Sequence, residues 1–406
     1  MKIRKLSTKE WIVWGLLYIL FVSHGTYILN FSQIETILPF TLIVVVLYFK
    51  FGCQLTTELF VLFSLLLANH IITGILSGAG MSEGFNFSGF LGMISVVLSV
   101  ILLYKLDNDV MTKFIKMLYF FSCISLVGYL IASSGFGNVL TSLFSTYNTG
   151  MGVASGKIFY VYYLGKTNRN VGIFTEPGIY QAVLVICIYV ILFLGDRISL
   201  TKKQSSRYLV VFLITLITTK SAAGYIGLFA IVIGVLLKKK EKRDYFIVGI
   251  LSASVAFLIY DYYTLGNDSI LQQYFFGKLI ETQQESINLT SGGARLVAMQ
   301  MGWEAAITHP FGIGYLNWEN QLYQIYGRKF GTGNALFTQL GTRGFIAFFI
   351  SLYLAIGPAL KRKKGWLEFT LYVFLFVYIA TAQAKILYPA IVLTAYLPRR
   401  ELQTNE

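Results

Sequence analysis

Charge is scarce in this chain. Only 13% of its 406 residues are Asp, Glu, Lys or Arg, against about 25% in a typical soluble domain. Acidic residues are the rarer kind, 19 against 33 basic ones. The three cysteines, Cys53, Cys123 and Cys187, lie in or beside apolar runs. They have no paired ligand spacing, which excludes a disulfide framework and a zinc site as readings. Three histidines, His24, His70 and His309, are too few for a multi-histidine metal centre. No internal repeat, heptad array or low-complexity tail is visible. The missing repeat disfavours the many transporter folds built from duplicated halves.

What the chain has in excess is apolar sequence, 56% of the total, in long runs bounded by basic clusters. That is the pattern of an all-α polytopic membrane protein. A helix crossing about 30 Å of hydrocarbon needs about 20 mostly apolar residues. On that criterion about 12 transmembrane helices are expected, at 10–29, 34–49, 59–77, 89–104, 114–134, 177–194, 208–219, 222–237, 245–260, 334–357, 366–384 and 386–398. The first run is too long for a cleavable signal peptide and has no small-residue cleavage site after it. A single integral membrane domain over 1–406 follows, with the lipid bilayer as its solvent.

The formal net charge of +14 would suggest nucleic acid in a soluble chain. Here it reflects sidedness. With the amino terminus inside, 23 of the 33 basic residues fall in short cytoplasmic segments, as the positive-inside rule requires. The largest cluster is Lys238–Arg243. Both termini are then cytoplasmic, and nucleic acid is not expected as a partner. Two long connections, 135–170 and 261–333, are outer loops, and the second is large enough to carry short helices. Long ordered loops are usually functional.

Several basic residues escape the cytoplasmic set. Arg169 lies about two turns before the sixth span, and Lys220 and Ser221 form the turn Thr219-Lys220-Ser221-Ala222-Ala223-Gly224. Arg343 is well inside the tenth span, and Lys385 interrupts the last hairpin. Such charges either snorkel to the headgroups or face a polar cavity. Arg295 opens the amphipathic stretch Ala294–Thr308, where a cation opposes the helix dipole; a bound anion would remove the conflict. Glu176 precedes Pro177, which suits a first helical position. It reads either as a capping carboxylate or as a general base whose pKa is raised by partial burial. His309 precedes Pro310 and reads either as a helix stop or as a second candidate base; Glu304 and Glu319 are further carboxylates. Tyr315, Trp318 and Tyr323 are aromatic rings able to stack on sugars.

Three strings occur in order: Arg169…Gly172…Phe174-x-Glu176-Pro177-Gly178; Thr219–Tyr225; and Arg295-Leu296, then His309-Pro310-Phe311-Gly312-Ile313-Gly314, then Asn334…Gly341…Gly344. In these the chain resembles the bacterial O-antigen polymerase/O-antigen ligase superfamily, in particular its Wzy-like capsule and exopolysaccharide polymerases. The resemblance implies a glycosyltransferase of the inner (plasma) membrane. Its donor would be an undecaprenyl-pyrophosphate-linked oligosaccharide, used at the outer face without metal, nucleotide or other cofactor. A flippase and a chain-length regulator are the partners it suggests. Carried over by position, Arg295 and Lys220 would hold the lipid pyrophosphate. Arg169, Ser221, Arg343, Asn334 and Tyr315 would contact substrate, and Glu176 and His309 would be the candidate bases. Ligases of the superfamily carry a histidine before the asparagine that opens the span after the large loop. Here Gly333 precedes Asn334, which favours polymerase over ligase. A lipid-oligosaccharide flippase is the alternative from a different class.

Overall fold

The computed structural model describes residues 7–29, 33–77, 87–149, 152–164, 169–238, 264, 291–327, 333–363, 365–383 and 385–399. The expected span 245–260, most of the Lys238–Arg243 cluster and both chain ends lie outside the described residues. So does most of the first half of the 261–333 loop.

Fourteen α-helices are present among the described residues. In chain order they are α1 Thr8–Ser23, α2 Ile34–Lys50, α3 Thr57–Leu76, α4 Phe87–Leu106, α5 Val110–Ser133, α6 Gly137–Leu143, α7 Pro177–Phe193, α8 Lys202–Thr218, α9 Ala222–Leu237, α10 Ser291–Thr308, α11 Tyr315–Tyr326, α12 Ala335–Lys361, α13 Trp366–Ala382 and α14 Pro389–Ala395. Four of them, α3, α4, α5 and α12, are long and apolar enough to cross a membrane, while α7, α9 and α13 are apolar but shorter. The described residues therefore display fewer full-length crossings than the twelve expected. The clearest departure is 386–398, which holds only the seven-residue α14. Seven residues rise about 10 Å, too little to span, and every residue of α14 is buried.

Other boundaries move for local reasons. α8 begins at Lys202, six residues before the expected 208, because Thr201 and Gln204 form a capping box. Hydropathy does not register that polar first turn. α1 stops at Ser23 rather than 29, and Thr26 then forms an isolated antiparallel bridge to Phe174.

The all-α expectation needs one correction. The 135–170 connection carries α6 and a small antiparallel sheet of β1 Thr146–Thr149, β2 Gly152–Ser155 and β3 Tyr162–Tyr163. Thr146 faces Ser155, and Ala154 faces Tyr163.

Large apolar side chains are exposed along whole helix faces, among them Ile43, Val46 and Phe49 on α2, Ile75 and Leu76 on α3, and Leu236 and Leu237 on α9. A soluble protein does not leave continuous apolar faces in water; a bilayer accommodates them. α7 is the opposite case. It is apolar all round and buried almost throughout, from Ile179 to Phe193, as a helix enclosed by others must be. It packs against α8, α9, α13 and α14. Its N-terminus shares one end of the bundle with the start of α9, the starts of α10 and α12 and the finish of α13. Its C-terminus lies at the opposite end, where Lys238 donates from Nζ to the Leu192 carbonyl at 3.0 Å.

α10 runs alongside the first half of α12. Asn334 Nδ2 donates to the Arg295 carbonyl at 3.2 Å, and Phe345 N–H donates to the Pro310 carbonyl at 2.9 Å. Between these points Gly302 and Gly341 face each other, and a Cβ on Gly341 would stand 3.0 Å from the Gly302 Cα. Small residues at a helix contact allow this close backbone approach.

Candidate active site

Glu176 stands at the N-cap of α7 in extended backbone (φ −141°, ψ 144°), and its side chain makes no capping hydrogen bond. The carboxylate is instead held in a partly buried mouth. Burial raises its pKa above the ordinary glutamate value, and the positive charges of Arg295 and then Arg169 oppose that rise. The Glu176 carboxylate and the guanidinium groups of Arg295 and Arg169 thus come within electrostatic reach of one another from two stretches of chain, 169–176 and the start of α10.

Each member is fixed by backbone. Thr175 N–H donates to the Gly25 carbonyl at 2.7 Å, tying the segment before Glu176 to the end of α1. Tyr163 Oη donates to the Thr175 carbonyl at 2.6 Å and bonds Tyr27 Oη at 2.8 Å, so the small sheet braces the same segment. Arg169 Nε donates to the Thr219 carbonyl at 3.1 Å, and Asn170 N–H donates to the Thr218 carbonyl at 2.9 Å. These bonds bring the Lys220 turn beside Arg169. Lys220 has a φ of 47°, the one non-glycine residue at positive φ among those described. Left-handed backbone costs a non-glycine residue about 1–3 kcal/mol and concentrates at functional sites. Ser221, buried at the N-cap of α9, makes no side-chain capping bond.

Arg295 resolves its conflict with its own helix dipole at long range. Its Nη2 donates to the Ala382 carbonyl at 3.1 Å, at the C-terminal, partially negative end of α13. Burial lowers the guanidinium pKa, while Tyr378 and Glu176 oppose this. Asn334 caps α12, accepting from Phe337 N–H at 3.3 Å and holding the Arg295 carbonyl as above.

Three sequence candidates fall elsewhere. His309 is at the far end of α10, 14 residues from Arg295, which is about 20 Å of helix. It is exposed, with Nδ1 at 2.9 Å from Thr308 Oγ1. The two candidate bases therefore do not share a mouth. Arg343 is enclosed by α3 and α4: its Nη1 lies 3.0 Å from Met93 Sδ, and its carbonyl accepts from Asn69 Nδ2 at 2.7 Å. Tyr315 opens α11, whose Asn317 Nδ2 donates to the Ser77 carbonyl at 2.8 Å. Its phenol pKa is raised by burial and by Glu319.

These three residues surround a break in α12. Gly344 has φ 71° and ψ −174° inside the helix, a conformation open essentially to glycine alone. The segment Pro310–Gly312 fills the break, so a Cβ on Gly344 would meet Phe311 C at 2.5 Å and Gly312 N at 2.6 Å. The His309–Gly314 string is thus a backbone plug, and its glycines serve packing.

Sequence reasoning missed several residues of the Glu176 mouth. Tyr163 reaches it from the small sheet 13 residues earlier, and Tyr378 reaches it from a helix far away in sequence. Gln181, one turn below Glu176, is fully buried, and neither atom of its amide has a hydrogen-bond partner. Nothing local distinguishes these residues from the other abundant aromatic and polar residues of the chain.

Fold and mouth together define a helical integral membrane protein with a cation-rich site at one end of its bundle, built around a carboxylate. Residues 208–350 match the family model described as O-antigen ligase. The match spans α8 to the middle of α12 and includes Lys220, Ser221, Arg295, His309, Tyr315, Asn334 and Arg343. Over those residues, about a third of the chain, the sequence is similar to that family. No curated protein matches the chain.

Proposed function

We propose that the protein is a polysaccharide polymerase that joins undecaprenyl-pyrophosphate-linked oligosaccharide units at the outer face of the cell membrane. The observation that carries this reading is the convergence of Glu176, Arg295 and Arg169: Arg295 is bonded to the Ala382 carbonyl, Gly178 beside Glu176 packs against the neighbouring Gln383, and Arg169 is bonded to the Thr219 carbonyl. Glycan transfer from a lipid pyrophosphate requires two services. The departing pyrophosphate develops charge, which guanidinium groups neutralise with directed hydrogen bonds. The incoming sugar hydroxyl must lose a proton as it attacks the anomeric carbon, and a carboxylate of raised pKa accepts it.

In the proposed step the acceptor hydroxyl oxygen bonds to the anomeric carbon, and the bond from that carbon to the pyrophosphate oxygen breaks. Undecaprenyl pyrophosphate leaves with the bonding pair, and the hydroxyl proton passes to Glu176. Arg295 and Arg169 hold the pyrophosphate; Lys220 and Ser221 adjoin it from the α8–α9 turn. The roles of Arg343, Tyr315 and His309 are then confined to shaping the α12 break.

The O-antigen ligase description of the matched family favours a second reading, transfer of finished glycan to a different acceptor. Position 333 argues against it. Gly333 has φ 63°, a backbone that suits glycine and disfavours histidine. A Cβ there would stand 3.8 Å from Arg295 Nε, an ordinary van der Waals contact, so it is the backbone conformation that disfavours a side chain at this position.

Reconstitution tests the proposal. Purified protein in vesicles should elongate lipid-linked oligosaccharide unaided, and Arg295→Lys, which keeps the charge but loses the fork, should abolish most elongation. Normal elongation by Arg295→Lys would refute it.

A further inference from the structure

The guanidinium of Arg295 spends Nη2 on the Ala382 carbonyl, but its Nε–H is buried with no hydrogen-bond partner. Tyr378 lies one turn before Ala382 on the same face of α13. Its hydroxyl is likewise buried without a partner, and it interacts electrostatically with Arg295. Two donors on different helices are thus left unused in the neighbourhood of the Ala382 carbonyl, and the Glu176 carboxylate also senses Arg295. Buried polar atoms without partners are rare in native proteins and costly to keep, so each such atom needs an explanation. Gly333 adjoins this space and places no side chain in it.

Resting on the reading of the mouth given above, we propose that Tyr378 Oη–H and Arg295 Nε–H together seat one phosphate oxygen of the donor, making Tyr378 a substrate-binding residue. The phenol fits the task. It is anchored by its ring, which stacks on Phe374 at 6.2 Å between centroids, and it presents a single donor in a fixed direction. A neutral donor beside the arginine also adds a hydrogen bond to the phosphate without a second buried charge.

Tyr378→Phe tests this, because it removes one oxygen and keeps the ring. The expected result has two parts. Without ligand, the unfolding midpoint should equal or exceed that of the wild type, since an unpaired buried hydroxyl has been removed. In the elongation assay the KM for undecaprenyl-pyrophosphate-linked oligosaccharide should rise about tenfold, with kcat within about twofold. Protection against unfolding by undecaprenyl pyrophosphate, and more weakly by inorganic pyrophosphate, should fall in parallel. An unchanged KM, or a lowered midpoint without ligand, would overturn the proposal by making the hydroxyl either idle or structural. Protection by phosphatidylglycerol alone would overturn it in favour of a membrane phospholipid as occupant. Arg295→Lys assayed alongside separates the two levels. If it is impaired while Tyr378→Phe is normal, only the tyrosine seat fails. If Arg295→Lys is itself normal, the reading of the mouth fails.

Discussion

Replacing Glu176 by Gln isolates its proton-accepting role from every other contribution the residue makes. The side chain makes no capping hydrogen bond, so the stability lost should be about 1 kcal/mol or less, the low end for a cap residue. Its shape is retained, and the neutral amide still suits the start of α7. If the carboxylate takes the acceptor proton, removing it should slow elongation by roughly a hundredfold or more, about 2.7 kcal/mol of barrier. The assay is initial-rate elongation by purified, reconstituted protein at matched amounts, with His309→Ala as the comparison. His309→Ala should stay within a few-fold of normal, because α10 holds it about 20 Å from Arg295. The same residue sets the pH dependence. Burial raises the Glu176 pKa more than Arg295 and Arg169 lower it, and only the ionised form accepts a proton. Activity should therefore rise with pH on a limb above the ordinary glutamate range, and Arg169→Gln should move that limb higher still. The stability contribution has the opposite sense: a carboxylate raised on folding favours the fold at low pH and loses that contribution as pH rises through its folded pKa. Near-normal elongation by Glu176→Gln beside an inactive His309→Ala would refute this reasoning and move the base to the histidine.

Sidedness is checked by cysteine labelling with a membrane-impermeant reagent in intact cells. Lys157→Cys, exposed between β2 and β3, should react, and Lys203→Cys, exposed at the start of α8, should not; the reverse pattern would invert the orientation. Gly344→Ala should destabilise the protein by roughly 1–3 kcal/mol from backbone conformation alone, with more from the clash against Phe311 and Gly312. Its reading is thermal unfolding in detergent, where an unchanged midpoint would show that the α12 break is not required.

The helical membrane character was legible because it rests on composition and run length, both local properties. Boundaries failed where polar caps or turns decide them, as at Lys202 and Ser23. The last expected span failed because hydropathy over 386–398 cannot distinguish a lipid-crossing helix from α14, a short segment buried in protein. At the mouth, Glu176, Arg169, Lys220 and Arg295 stood out as charges in apolar surroundings, an oddity visible in one dimension. Their convergence was not visible, because it depends on contacts such as Arg169 to Thr219 and Arg295 to Ala382. Arg343 and His309 carried the same oddity and ended in a different place. Tyr378 and Gln181 gave no signal, since what marks them is a missing partner, and that exists only in three dimensions.

The central claim is that this chain polymerises lipid-linked repeat units, and the most direct measurement is mass analysis of the undecaprenyl-linked glycan that accumulates when the protein is deleted from its host. Single repeat units on the lipid are the expected product, restored to long chains by the wild-type protein but not by Arg295→Lys. Long polymer accumulating without its final acceptor would contradict polymerisation and assign the protein to ligation.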